Sequence, residues 1–127
     1  MVAFIEISLL GIWVVMAWWH SRLIKANRPI KHGWWAAFSG ALIAGGMAVL
    51  WTDLLLYQLV LFAIAQGAGR AAIFNLSLNL FRGLSWDYSS PATTSIIDQL
   101  ERCLFGGRVW LIEALLGLVF LILQFFI

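Results

Sequence analysis

The chain has 127 residues, of which 63% are hydrophobic and only 11% are charged. Roughly a quarter of the residues in a soluble domain are charged, so this composition excludes an ordinary soluble domain. It predicts one integral membrane domain over residues 1–127. The formal net charge of +2 is too small to indicate nucleic-acid binding, and a single cysteine excludes an intrachain disulfide.

The first predicted element is a membrane-spanning helix over residues 2–19. About 18 residues at a rise of ~1.5 Å each give about 27 Å, which is close to the ~30 Å hydrocarbon core of a bilayer. No Lys or Arg precedes this run, and basic residues follow it. That order of charges argues against a cleaved signal peptide. It favours a retained helix whose N-terminus lies outside the cytoplasm.

A short basic loop follows, flanked by tryptophan pairs at 18–19 and 34–35. The loop carries half of the eight basic residues, namely Arg22, Lys25, Arg28 and Lys31. Trp rings prefer the headgroup level of a membrane, whereas Lys and Arg accumulate on its cytoplasmic face. We therefore expect these four side chains to lie in the cytoplasm and to contact anionic headgroups.

The apolar stretch over 33–69 is too long for one bilayer crossing, because as a single helix it would measure about 55 Å. The only polar pair near its middle is Thr52-Asp53, and either residue is a good helix N-cap. The sequence therefore predicts spans over 33–51 and 54–67. Small residues form two rows on the first of these, at Ala36, Gly40 and Ala44 and at Ala37, Ala41 and Gly45. Such rows favour close helix packing in lipid, either within the chain or in a homodimer.

The segment over 70–108 is the most polar part of the chain, and we expect it to lie on the cytoplasmic membrane surface. Residues 74–81 fit both a strand and a helix, but a lone strand leaves backbone groups unpaired at a membrane surface, which favours a helix. The stretch 95–98 resembles a capping box and predicts a second short amphipathic helix. The predicted contacts of this segment with lipid or a partner protein are Arg70, Arg82, Asp87 and Tyr88.

A fourth span is predicted over 109–127, which places all eight basic residues on one side of the membrane. The expected fold is an all-α integral membrane four-helix bundle of two hairpins, with one or two short interfacial helices on the cytoplasmic side. Both termini would lie on the non-cytoplasmic side.

Two carboxylates, Glu6 and Glu113, lie within predicted spans, where an ionisable residue is a functional hypothesis by default. They lie near opposite membrane faces, which argues against a shared-proton pair. Glu113 lies near the depth of several basic residues, so an ion pair is expected for it. For both carboxylates, structural pairing or snorkelling is favoured over a place in a proton or ion pathway. The two histidines, His20 and His32, do not form a metal motif with Cys103 or the aspartates, so neither a metal nor a cofactor is predicted.

Parts of the sequence resemble those of small bacterial membrane proteins. The first is His20–Trp35, and the second is Phe74–Tyr88 with the following Ser95–Asp98. Some of those proteins are carried by phage or other mobile elements, and they have no assigned activity. The resemblance implies a bacterial inner membrane, and it transfers no catalytic residue.

Three functions are compatible with these features. The first is a non-enzymatic scaffold or accessory subunit that presents the cytoplasmic segment to lipid headgroups or to a partner protein, as part of a larger membrane complex. The second is an oligomeric pore or holin-like protein. The third is a small membrane enzyme acting on lipid headgroups through Asp87, Asp98 or a histidine, which the absence of any catalytic motif disfavours.

Overall fold

The structure, a computed structural model, describes residues 1–86, 88, 99–100, 103–104 and 109–126, with side chains in the last range described over 111–123. Four helices form this part of the chain: α1 (Val2–Lys25), α2 (His32–Leu50), α3 (Leu56–Arg82) and α4 (Val109–Phe126). The described residues contain no strand, which confirms the all-α prediction.

Three of the helices, α1, α2 and α3, are long and apolar enough to cross a membrane. They have 24, 19 and 27 residues. At ~1.5 Å per residue all three reach roughly the ~30 Å thickness of a hydrocarbon core. The fourth helix contains a shorter apolar stretch, Leu111–Leu123.

Helix α1 is longer than the predicted span, because it continues past position 19 to Lys25. It ends where Asn27 adopts a left-handed conformation with φ of 55°. The backbone N–H groups of Asn27 and Arg28 donate to the carbonyls of Ile24 and Leu23, which closes the last turn. Asparagine tolerates this conformation better than most residues, which suits Asn27 to the turn that ends α1.

The predicted N-cap of the third helix at Thr52 or Asp53 is wrong, since α3 begins at Leu56. The Thr52 hydroxyl instead donates to the Asp53 carboxylate over 3.3 Å. The backbone N–H of Leu55 donates to Oε1 of Gln58 over 3.0 Å. A glutamine that reaches back in this way satisfies a backbone donor at the helix start, and it is the Gln form of one half of a capping box.

The predicted end of the third span at 67 does not coincide with a helix end, because α3 continues through Gly67 and Gly69 to Arg82. Residues 74–81 are therefore helical, as preferred, but they belong to α3 and do not form a separate interfacial helix. Gly83, with φ of 73°, ends the helix. Glycine is the usual residue at such a left-handed C-terminal position.

Helix α3 is the centre of the bundle and packs most extensively against α4 and α1, while α2 is more peripheral. The side chain of Lys25, at the end of α1, donates to the carbonyl of Phe81, at the end of α3, over 2.9 Å. The C-termini of α1 and α3 and the start of α2 therefore share one end of the bundle. We call this the basic end, and the turn over 51–55 between α2 and α3 marks the opposite end.

The apolar core lies between α1, α2 and α3. It is built from Leu9, Trp13, Met16, Leu50, Leu59 and Phe62. Many other large apolar side chains face outward on all four helices. An outer surface of this kind suits a lipid environment and would be a liability in water.

Candidate functional site

The basic end presents a cluster of exposed cationic side chains. All four residues predicted to contact headgroups from the α1–α2 loop region are exposed there, namely Arg22, Lys25, Arg28 and Lys31. Arg82, predicted to contact the same surface, is half-buried at the last residue of α3. Five of the eight basic residues of the chain thus lie at one end of the bundle.

Exposed tryptophan rings surround these charges. Trp18, Trp19 and Trp34 are all exposed near the basic end, with Trp34 at 75% exposure. The guanidinium carbon of Arg22 lies 5.5 Å from the centre of the Trp18 ring, which is cation–π geometry. Along α2, Trp34 and the exposed Trp51 are separated by about 26 Å at ~1.5 Å per residue, close to the thickness of a hydrocarbon core. The two rings are spaced as aromatic residues at opposite membrane surfaces should be.

The segment that follows α3 is held against the basic end by Asn79. This side chain is buried, and its Nδ2 donates to the carbonyl of Trp86 over 3.3 Å and to that of Tyr88 over 2.8 Å. The exposed Tyr88, one of the predicted contacts, is thereby positioned close to the end of α3. Asn75, one turn earlier on the same helix, is exposed and differs from Asn79 in this respect. An asparagine within one turn of a glycine-terminated helix end was the available signal for this role.

Arg70 does not lie at the basic end, where the sequence analysis placed it. It precedes Arg82 by twelve positions, or about 18 Å along α3 at ~1.5 Å per residue. Its Nη1 donates to the Ser39 hydroxyl over 3.2 Å. Ser39 in turn donates to the carbonyl of Trp35, one turn earlier in α2. Arg70 therefore joins α3 to α2 inside the bundle.

His20 is buried between aromatic rings. Its ring centre lies 4.5 Å from that of Trp35 and 5.0 Å from that of Phe74. Its Nδ1 lies 2.8 Å from the Met16 carbonyl, and Arg70 lies near enough to act on it electrostatically. The partners of His20 are thus those of a structural core histidine. Among the residues that the structure describes, no group of three His, Cys, Asp or Glu side chains could hold a metal ion.

Polar contacts continue along the interface of α1 and α3 towards the opposite end. Nε1–H of Trp13 donates to Oε1 of Gln66 over 3.4 Å, and both side chains are buried. Two turns further along α1 lies Glu6, which is buried as well. Glu113 is buried on α4, one turn before Gly117, where α4 touches the backbone of α3 at Gly69. The two carboxylates that the sequence singled out thus both face the interior of the bundle.

The two small-residue rows of α2 face outward. All six predicted packing residues are exposed: Ala36, Ala37, Gly40, Ala41, Ala44 and Gly45. The described helices leave these residues exposed, and their use in close helix packing, within the chain or in a homodimer, stays a prediction. Helix α2 instead turns Ser39, Gly46 and Leu50 towards its neighbours. A Cβ atom at Gly46 would lie 3.0 Å from the Phe62 ring, so this glycine is where α2 comes close to α3.

Several predicted features lie outside the described residues. They are Asp87, Asp98, Arg102, Arg108 and the capping box over 95–98.

In comparisons with known proteins, no family model, no curated protein and no solved structure matches this chain.

Proposed function

We propose that the protein is a non-enzymatic membrane scaffold that binds anionic lipid headgroups at its basic end. The observation that carries this proposal is the cluster of exposed Arg and Lys side chains at the end of the bundle where exposed Trp rings also gather. In this proposal the protein is a four-helix integral membrane bundle, in which α4 adds a fourth span to the three long apolar helices.

Headgroup phosphate is the ligand that this surface suits best. The guanidinium of Arg22 stacks near a Trp ring at the level where phosphates lie, and an Arg fork donates two parallel hydrogen bonds to a phosphate. Each Lys or Arg near an anionic membrane surface contributes about 1 kcal/mol. Four exposed charges therefore contribute about 4 kcal/mol together, enough to select anionic lipid from a mixed bilayer.

A partner protein is the second ligand of the proposed scaffold. The turn after α3 emerges at the basic end and is held there by Asn79, with Trp86 and Tyr88 exposed. The polar segment through position 108 begins at this turn. In this proposal the helices anchor that segment at the membrane surface, where a neighbouring subunit of a larger complex binds it.

The same proposal assigns an orientation. Lys and Arg are enriched on the cytoplasmic side of membrane proteins, so the basic end faces the cytoplasm. The N-terminus and the α2–α3 turn then lie on the other side, and so does the C-terminus if α4 runs outward. The resemblance to small bacterial membrane proteins supports a bacterial inner membrane as the location in this proposal.

A second candidate, a homo-oligomeric pore or holin-like protein, is favoured by one specific observation. The small-residue rows of α2 are exposed, and a Cβ atom at Gly40 or Gly45 would have nothing within 4 Å. Exposed rows of this kind allow two helices to approach closely in lipid. Trp13 and Phe62 are fully buried and fill the interior of the protomer. A pore would therefore have to form between protomers.

Lipid retention in nanodiscs tests the primary proposal. The bundle is reconstituted in a mixture of anionic and zwitterionic lipids, and its retained lipids are counted by native mass spectrometry. The triple variant Arg22→Gln, Arg28→Gln and Lys31→Gln should lose its preference for anionic lipid. The matched control, Arg22→Lys with Arg28→Lys, preserves charge and should keep that preference. Equal retention of anionic lipid by the parent and the Gln variant would refute headgroup binding at this end.

The same spectra separate the two candidates. A monomer with bound lipid supports the scaffold, whereas a discrete oligomer supports the second candidate. Introducing Gly40→Leu would then abolish an oligomer formed through α2 and would leave a lipid-binding monomer unchanged.

A further inference from the structure

Glu6 lies at a depth where a bilayer would exclude water. Its side chain is only 5% exposed. The neighbouring Ile5 packs near Gly46 of α2, which fixes the level of Glu6 in the bundle. Gly46 precedes Trp51 by five positions, or about 7 Å at ~1.5 Å per residue. If Trp51 marks the membrane surface at the opposite end, the Glu6 carboxyl lies inside the hydrocarbon region.

Among the residues that the structure describes, no cationic side chain is positioned to neutralise this carboxyl. The sequence contains no Lys, Arg or His before His20, between His32 and Arg70, or over 109–127. His20 is fourteen residues further along α1, or about 21 Å at ~1.5 Å per residue. Among the described residues, Oε1 of Glu6 is buried without a hydrogen-bond partner. A buried carboxylate without a partner costs many kcal/mol, so the neutral acid is the form that fits this site.

The other described titratable groups near the opposite end are exposed, unlike Glu6. The side chains of Asp53, in the turn between α2 and α3, and of Tyr57, in the first turn of α3, are both exposed. The residue bearing the terminal amine, Met1, is exposed as well. Helix α2 carries no titratable side chain after His32, and the only one in α4 is Glu113.

Fully buried aromatic side chains fill the interior between Glu6 and the polar groups nearer the basic end. Trp13 and Phe62 are each 0% exposed, and Trp13 is fixed by its hydrogen bond to Gln66. His20 and Arg70 lie beyond these side chains. Glu6, by contrast, is one turn from the start of α1. A proton that reaches Glu6 therefore has its shorter path from the opposite end.

We propose that Glu6 is a proton-binding site of the folded bundle, which exchanges its proton with the aqueous phase at the opposite end and not with the basic end. The step is a simple equilibrium in which a carboxylate takes up one proton to become a carboxylic acid. This site is independent of headgroup binding, because none of its residues lies at the basic end. Ionisation of Glu6 would place a charge in the core beside Leu9 and loosen the packing of α1 on α3.

Unfolding measured against pH tests this proposal. If the folded state holds one proton more than the unfolded state, the unfolding constant rises about tenfold per pH unit once the unfolded carboxyl is ionised. Glu6→Gln should remove that dependence, because its amide is neutral at every pH. Glu113→Gln, a change at the other buried carboxyl, should retain the part of the dependence that belongs to Glu6. Identical pH dependence in the parent and Glu6→Gln would overturn the proposal.

A second measurement does not require the Glu6 variant to fold. The sequence contains three glutamates, Glu6, Glu101 and Glu113. Carboxyl-¹³C labelling therefore gives three signals, and Glu101→Gln and Glu113→Gln identify the signals of the other two. The Glu6 signal should keep the chemical shift of a carboxylic acid at a pH where a free glutamate is ionised. It should change when the pH is raised at the opposite end of the bundle in sealed vesicles. A carboxylate shift for Glu6 at neutral pH would contradict the proposal.

Discussion

Replacing Gly117 with alanine should push α4 away from α3. A Cβ atom at Gly117 would lie 2.9 Å from the backbone nitrogen and 3.1 Å from the Cα atom of Gly69. Both are backbone atoms, so no side-chain rotation relieves the clash and one helix must move. The same change at Gly40 meets nothing within 4 Å, although that glycine also lies in the middle of a helix. Gly40→Ala is therefore a matched control.

The expected difference follows from two opposing terms. Alanine is favoured over glycine in a helix interior by about 1 kcal/mol, and this gain applies at both positions. Overpacking a close contact costs about 1–3 kcal/mol, and this cost applies only at Gly117. Gly117→Ala should thus be less stable than Gly40→Ala by about 1–3 kcal/mol, because the gain cancels in the comparison. Every ~1.4 kcal/mol is a tenfold change in the unfolding constant.

Reversible unfolding in mixed detergent micelles measures this difference directly. The parent and the two variants are titrated with a denaturing detergent, and their helix content is followed by circular dichroism. We expect a lower midpoint for Gly117→Ala and a midpoint equal to or above the parent for Gly40→Ala. If the two variants unfold at the same midpoint, α3 and α4 do not approach at Gly69 and Gly117, and the packing described for α3 is wrong.

Three further substitutions test individual contacts. Trp13→Phe removes the hydrogen-bond donor to Gln66 and should lower the free energy of unfolding in detergent by about 1–3 kcal/mol. Adding Gln66→Leu should recover much of that loss, because no buried polar group is then left unpaired. Asn79→Ala should speed amide hydrogen exchange in the turn after α3, whereas Asn75→Ala, at an exposed position of the same helix, should leave the exchange unchanged. Gly83→Ala should destabilise the end of α3 by about 1 kcal/mol in the same exchange experiment, because its left-handed conformation disfavours a side chain.

The composition and the placement of charge predicted the coarse architecture. Four apolar stretches became four helices, because a continuous run of apolar residues of that length has few other stable forms in lipid. The tryptophan pairs and the basic residues of the loop identified one end of the bundle, because Trp prefers the headgroup level and Lys and Arg prefer the cytoplasmic side. Gly83 ends α3 in a left-handed conformation, which selects for glycine locally and is therefore a signal that the sequence carries.

Tertiary packing explains where the sequence analysis failed. The third span was predicted to end at 67, but α3 continues through Gly67 and Gly69, and α4 approaches its backbone there because Gly117 carries no side chain. Because α3 continues, Arg70 lies inside the bundle and bonds to Ser39. Periodicity also could not show which face of α2 packs inward, since Gly46 alone makes the close contact that whole rows of small residues predicted.

Sided labelling of single cysteines reports whether the bundle crosses a membrane with its basic end in the cytoplasm. In a Cys103→Ser background, which removes the one native cysteine, Lys31→Cys marks the basic end and Thr52→Cys marks the opposite end. Both positions are exposed. With a membrane-impermeant maleimide, we expect labelling of Thr52→Cys in intact spheroplasts and labelling of Lys31→Cys only after permeabilisation. Labelling of both cysteines from the same side would contradict this orientation.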